Sequence, residues 1–127
     1  MVKNSAPIGH NVKYSSAIEE FNINCPPGGS VKPKKALEAQ RRPATVACSI
    51  HGWMEARVYV FDHPYFAVTD KDGKFEIKDA PVGKWRIVYQ HEGGYHKARD
   101  GALGFPVELK GDKKTLDLES IKIELPK

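Results

Sequence analysis

Short alternations of apolar and polar residues, separated by turn residues, run from Ala56 onward and constrain the fold more than any other feature. In the clearest example Trp85, Ile87 and Tyr89 share one face, as in a half-buried antiparallel strand. Glycine, proline or aspartate lies in the gaps and favours turns there. The pattern predicts strands at residues 56–61, 66–69, 74–77, 84–89, 105–109 and 115–125, the last with a break at 119–120.

Helical signals are weak along the whole chain. Residues 34–42 have helical propensity, but Pro33 and Pro43 bracket them, so about two turns is the most we expect there. The sequence therefore predicts an all-β protein, an antiparallel sandwich or a partly open barrel. A chain of 127 residues without a linker or repeat predicts one domain, 1–127, whose part from about 56 to 127 carries extra strands.

Composition and charge exclude several classes of function. No apolar run approaches the roughly 18 residues that cross a bilayer, so we expect no membrane span. The first seven residues lack the apolar stretch of a signal peptide, so the protein is expected to be cytosolic or to have lost a leader. The basic excess lies within 30–43, a segment that could meet nucleic acid or an acidic protein. Because no aromatic residue interleaves the basic ones, we interpret it as a solvated loop or short helix and expect no nucleic-acid partner.

The residues suited to metal chemistry lie in the first half. Cys48, His51 and Met54 place a thiolate, an imidazole and a thioether at three-residue intervals, directly after the strand-like segment 45–47. His10, beside the strand-like segment 11–14, offers a second imidazole. One cysteine, two histidines and a methionine suit copper rather than calcium or magnesium. The predicted metal ligands are therefore His10, Cys48, His51 and Met54.

Structural explanations compete with this interpretation. Cysteine and methionine are often buried simply as apolar filler, and a disulfide between Cys25 and Cys48 would abolish the site. His63 could contact a ligand or bind the metal, or it could be an ordinary packed or surface histidine. His91, Glu92 and His96 could form an adventitious zinc site, although Gly93 and Gly94 suggest a mobile loop instead.

Together, His10-Asn11-Val12 and the Cys48-x-x-His51 loop resemble the cupredoxins, the blue copper proteins. In that family a His-Asn-Val type strand supplies one ligand and a Cys-x-x-His loop supplies the others. The resemblance implies a Greek-key β-sandwich or barrel of cupredoxin type. It also implies that His10, Cys48, His51 and Met54 bind one copper ion that alternates between Cu(I) and Cu(II).

A closer resemblance runs from about His10 to Tyr89. It is carried by residues 51–56, by Phe61-Asp62-His63-Pro64-Tyr65-Phe66-Ala67-Val68-Thr69, and by 72–75 and 81–83. These stretches look like exported bacterial cupredoxin-like proteins, some of them labelled as methylamine-utilisation or carboxypeptidase-regulatory-like proteins. Their loop usually has proline where this chain has Gly52. This resemblance implies a periplasmic or otherwise exported location.

Three functions remain open from the sequence. The first is electron transfer by a mononuclear copper centre, with an unidentified redox protein as partner. The second is a copper carrier that delivers Cu(I), and the third is a metal-free β-sandwich interaction module. We expect no enzyme activity, because no Ser-His-Asp, paired-carboxylate or phosphate-loop pattern is present.

Overall fold

The computed structural model describes residues 1–96, 101–112 and 115–122. Over these ranges the chain is all-β, with antiparallel pairing and no α-helix, which confirms the predicted fold class at that level. None of the sheets in the described ranges closes into a barrel, and the Greek-key cupredoxin arrangement stays a prediction. The strands are β1 (Val2–Lys3), β2 (His10–Ser15), β3 (Glu20–Cys25), β4 (Ser30–Val31), β5 (Ala44–Ala47), β6 (Glu55–Val58), β7 (Gly83–Ile87), β8 (Gln90–His91), β9 (Gly94–Tyr95) and β10 (Phe105–Leu109).

The chain divides into two compact units, Met1–Pro64 and Tyr65–Lys127. The first contains the β1–β4 pair and a four-stranded sheet of order β3-β2-β5-β6. The second contains the pairs β7–β10 and β8–β9. The prediction of one domain over 1–127 stays a prediction. No helix in the described ranges is long and apolar enough to cross a membrane.

The core of the first unit lies on one face of its four-stranded sheet. Alternation along β2 puts Val12 and Tyr14 on that face, opposite Ile23 and Phe21 of β3. Tyr14 is 2% exposed, stacks on Phe21 at 5.0 Å between ring centroids, and accepts a hydrogen bond from Gln40 Nε2 at 3.1 Å. Tyr14 therefore ties β2 and β3 to the chain segment that precedes β5.

Asn4 fixes the end of the sheet at which β2 begins. Its side chain is buried, and its Nδ2 donates to the carbonyl oxygens of Ile8, Cys25 and Pro26 at 2.8, 3.1 and 3.1 Å. Cys25 is the cross-strand partner of His10. The start of β2 is thus held in place by a buried amide whose hydrogen bonds are made to backbone groups.

The strand predictions of the second half are confirmed in part. Strands β6, β7 and β10 fall within or next to the predicted strands 56–61, 84–89 and 105–109. Residues 66–69, 74–77 and 115–122 carry no strand, and 123–125 lie outside the described residues. At the turn between the first two, Asp70 Oδ1 accepts the backbone N–H groups of Asp72 and Lys74 at 2.9 and 2.8 Å. These side-chain bonds stabilise the turn at 70–74 that the sequence predicted.

Two further expectations differ from the structure. Residues 34–42 form no helix, because Pro33 and Pro43 bracket the segment and the backbone N–H of Gln40 donates to Val60 O at 3.0 Å. Trp85 is 46% exposed, and its Nε1 donates to Pro81 O at 2.7 Å. The antiparallel pairing of this strand with β10 is as expected, but the indole is held by the residue four positions earlier and leaves nearly half of its surface exposed.

Candidate metal centre

The pairing of β2 with β5 brings the sequence-distant donors together. Tyr14 lies opposite Val46, so alternation continues the same face to Val12 and His10 on one strand and to Cys48 after the other. His10 is the first residue of β2, and Cys48 directly follows β5. His51 lies in the turn that joins β5 to β6. All three side chains therefore meet at one end of the sheet.

Three donor atoms form a small triangle there. Cys48 Sγ lies 3.7 Å from His10 Nδ1 and 3.6 Å from His51 Nδ1, and the two nitrogens are 3.1 Å apart. An ion bound about 2.0 Å from imidazole nitrogen and about 2.3 Å from thiolate sulfur separates such donors by roughly 3.3–3.6 Å. The observed separations therefore fit ligands that share one metal ion. Cys48 is buried, and both histidines are half-buried.

The loop of residues 48–54, the ligand loop, is closed by hydrogen bonds between its own backbone groups. Cys48 N–H donates to Met54 O at 3.0 Å, and Met54 N–H donates to His51 O at 2.9 Å. These bonds hold the two ligands of the loop at a fixed spacing. The Met54 side chain is 42% exposed, and its role as a fourth ligand stays a prediction.

Asn11 is a site residue to which the sequence analysis gave no role. Its Oδ1 accepts from the Cys48 thiol and from Ile50 N–H, both at 3.3 Å. Its Nδ2 donates to Asn22 Oδ1 at 2.6 Å and to Ser49 Oγ at 3.1 Å. Asn11 is 5% exposed and links β2 to the ligand loop. In the sequence, this role is indicated only by the position of Asn11: an asparagine, which strands disfavour, lies between His10 and an apolar residue of a strand-like segment.

The indole ring of Trp53 lies beside the site. The ring of Trp53 lies 5.4 Å from that of His51, tilted by 51°, and Trp53 is 82% exposed. Ile50, in the same loop, is 60% exposed. The loop therefore presents apolar side chains to solvent beside the imidazole of His51.

The thiol of Cys48 is tuned toward its anionic form. Burial raises the pKa of Cys48, but hydrogen bonds from the backbone of Asn11, the side chain of His10 and the backbone of His51 and Ile50 together outweigh it. The pKa of Cys48 falls from its ordinary value of 9.0 to about 6. At neutral pH this sulfur is mostly thiolate, the form that binds metals.

A pH titration of the metal-free protein checks this assignment. Following thiolate absorbance in the ultraviolet, we expect a Cys48 transition with a midpoint near pH 6. Because the folded pKa lies below the unfolded one, the free energy of unfolding should rise as pH increases from about 6 to about 9, and this contribution is lost as pH falls back through 6. In Cys48→Ser the transition should vanish. A native transition near pH 9 alone would contradict the assignment.

The other predicted residues lie elsewhere. In the described part of the chain, His10, Cys48 and His51 are the only group of three or more His, Cys, Asp or Glu side chains close enough to share an ion. Cys25 and Cys48 are both free and buried, so the alternative disulfide is not formed. His63 stacks on Phe61 at 5.3 Å.

His91 and His96, considered above as part of an adventitious zinc site, make other contacts. His91 Nδ1 accepts from Gly93 N–H at 3.2 Å, and His96 Nε2 lies 2.6 Å from Lys122 O. Each imidazole is thus engaged with backbone groups of its own surroundings. The adventitious zinc site proposed for His91, Glu92 and His96 is not among the candidate groups of the described residues.

A thiol and two imidazoles at the end of an antiparallel sheet define a candidate transition-metal site. No family model, curated protein or solved structure matches the chain. The resemblance to cupredoxins therefore stays a prediction that rests on the motif residues of the sequence.

Proposed function

We propose that the protein binds one copper ion through His10, Cys48 and His51 and transfers single electrons, as the cupredoxins do. The observation that carries the proposal is the convergence of a thiolate-forming sulfur and two imidazole nitrogens within 4.8 Å of one another. Carboxylates take no part in this group, which argues against calcium and magnesium. Thiolate and imidazole suit copper, and zinc is the main competitor for such a donor set.

The surroundings of the site support electron transfer. Asn11 Oδ1 accepts from Ile50 N–H, and two backbone hydrogen bonds close the loop from Cys48 to Met54, so the loop that carries Cys48 and His51 is held in place. A bound copper ion would supply a one-electron couple, and hydrogen bonds to the sulfur would tune its potential. We propose Met54 as a weak fourth ligand. An exported location, the absence of enzyme activity and a redox protein partner belong to the same proposal.

A copper carrier is the second candidate, favoured by one observation. Met54 is 42% exposed and Trp53 is 82% exposed, so the loop is open to an acceptor that would take the ion directly. A soft thioether at the surface suits Cu(I). Electron transfer and copper delivery therefore differ in what leaves the site, an electron or the ion itself.

A metal titration distinguishes these functions. The reduced, metal-free protein is titrated with Cu(II), and the loaded form is examined by voltammetry and, after reduction to Cu(I) with ascorbate, by incubation with a colorimetric Cu(I) chelator. Electron transfer predicts an intense thiolate-to-copper band that saturates at one equivalent, with a reversible one-electron wave and slow loss to the chelator. Rapid transfer of Cu(I) without that band would support the carrier. Absence of copper uptake with both thiols reduced would leave the metal-free interaction module.

A further inference from the structure

The carboxamide of Asn11 uses its full hydrogen-bonding capacity. Its Nδ2 donates to Asn22 Oδ1 at 2.6 Å and to Ser49 Oγ at 3.1 Å. Its Oδ1 accepts from the Cys48 thiol and from Ile50 N–H, both at 3.3 Å. An asparagine side chain offers two N–H donors and one oxygen with two lone pairs, so all four places are taken. Because Asn11 is 5% exposed, these protein groups take the place of water.

The partners of Asn11 allow one orientation of its carboxamide. With Oδ1 and Nδ2 exchanged, an N–H group of Asn11 would face the N–H of Ile50, and two donors make no hydrogen bond. The Ile50 N–H therefore determines which end of the carboxamide faces the ligand loop. Asn22 holds the other end, through the shortest of the four hydrogen bonds.

Asn22 reaches Asn11 diagonally across the pair of strands β2 and β3. In their register Asn11 lies opposite Asn24, and Asn22 lies opposite Lys13. Alternation places Asn11, Asn22 and Asn24 on the same face of the sheet. Diagonal neighbours on one face are within reach of each other's side chains. Among the described residues, Asn11 forms its cross-strand side-chain bond with Asn22 and not with Asn24, which is nearer in register.

The bond to Asn22 connects a third strand to the metal centre. Asn22 is exposed and lies on β3, whereas the three donors lie at the start of β2 and in the ligand loop. One intervening side chain, Asn11, joins Asn22 to the N–H of Ile50, which lies between Cys48 and His51 in the chain. Residues that orient the ligands of a metal site without touching the ion change its affinity. A substitution at Asn22 should therefore be felt in the ligand loop.

We propose that Asn22 is a positioning residue of the metal centre. It holds the Asn11 carboxamide with Oδ1 toward Ile50, and this contact keeps Cys48 and His51 at the spacing that a shared ion needs. The effect on copper rests on the proposed function, whereas the hold on the ligand loop is a property of the metal-free protein. Without the Asn22 side chain, Asn11 loses one fixed partner and its contact with Ile50 loosens.

Amide hydrogen exchange, measured by NMR on the metal-free full chain, tests the hold on the ligand loop. Asn22→Ala should speed the exchange of Ile50 N–H by about fivefold, the usual net effect of one hydrogen bond. Asn22→Asp should exchange as the native protein does, because a carboxylate oxygen also accepts from Asn11 Nδ2. Asn24→Ala is the matched control, since it removes an exposed asparagine from the same strand and face, and it should leave the exchange of Ile50 unchanged.

Copper titrations of the same variants, with a competing chelator, test the effect on the centre. Asn22→Ala should weaken copper binding by about tenfold, Asn22→Asp should restore it, and Asn24→Ala should leave it unchanged. The unfolding midpoints of metal-free Asn22→Ala and Asn24→Ala should agree, which separates positioning from a general loss of stability.

Three results would overturn the proposal. They are native exchange of Ile50 in Asn22→Ala, native copper affinity in Asn22→Ala, and an equal effect of Asn24→Ala in either measurement. If the native protein took up no copper, the proposed function would fail. The exchange of Ile50 would then still decide whether Asn22 holds the ligand loop.

Discussion

Replacing Cys48 with serine is expected to abolish the thiolate-to-copper band and to weaken copper binding by at least about 100-fold. The lower bound follows from metal sites in general, where even residues that only hydrogen-bond to a ligand change affinity by about 10–100-fold. Cys48 Sγ is the one sulfur in the three-donor group, and its removal leaves two imidazoles. The measurement is a Cu(II) titration followed by absorption and by competition with a chelator of known affinity.

Cys25→Ser is the matched control for this prediction. Cys25 is also buried, lies directly across from His10, and points its sulfur at Gly29 O, 3.8 Å away. The Cys25→Ser protein should keep the band and the stoichiometry of one copper. If the band survived in Cys48→Ser but disappeared in Cys25→Ser, the ligand assignment would be wrong. Unfolding midpoints of both metal-free variants separate loss of ligation from loss of fold.

Tyr14→Ala is expected to lower the free energy of unfolding of the first unit by about 3–5 kcal/mol. The phenol ring is almost fully buried and stacks on Phe21, so its removal leaves a cavity between β2 and β3. Tyr14→Phe is the matched variant, because it keeps the ring and removes only the acceptor of the Gln40 hydrogen bond. That change should cost about 1 kcal/mol.

The two tryptophans allow the units to be followed separately. Trp53 lies in the first unit and Trp85 in the second, and the chain has no other tryptophan. In a Trp85→Phe background, denaturant unfolding monitored by fluorescence reports Trp53 alone. Tyr14→Ala should shift that transition strongly. An unchanged Trp53 transition would show that Tyr14 does not support the sheet that carries the centre.

The sequence predicted those parts of the fold in which strands pair locally or in which apolar and polar residues alternate clearly. Alternation around Ile87 and Val107 predicted the strands that became β7 and β10. At 66–69 and 74–77 the same alternation produced no strand, although Asp70 forms the expected turn between the two segments. Propensity also suggested a helix at 34–42, where the structure has an irregular segment held by the contacts of Gln40.

The metal centre, too, was predictable from the sequence only in part. The loop carrying Cys48 and His51 could be recognised from its spacing, and His10 from the motif around it. The register that joins β2 to β5 depends on long-range pairing, so the approach of His10 to Cys48 needed the structure. Asn11 escaped notice for the same reason, since its partners lie 11 to 39 residues away.

The separation of the donors along the chain gives a bound ion a second effect. His10 is 38 residues from Cys48 and 41 from His51, so one ion would cross-link the start of β2 to the loop that follows β5, its neighbour in the sheet. These bonds would have to break before β2 and β5 could part, and the ion would therefore slow unfolding as well as support chemistry. Copper supply would then set the lifetime of the protein in the cell, because metal-free chains would open more often and be degraded sooner.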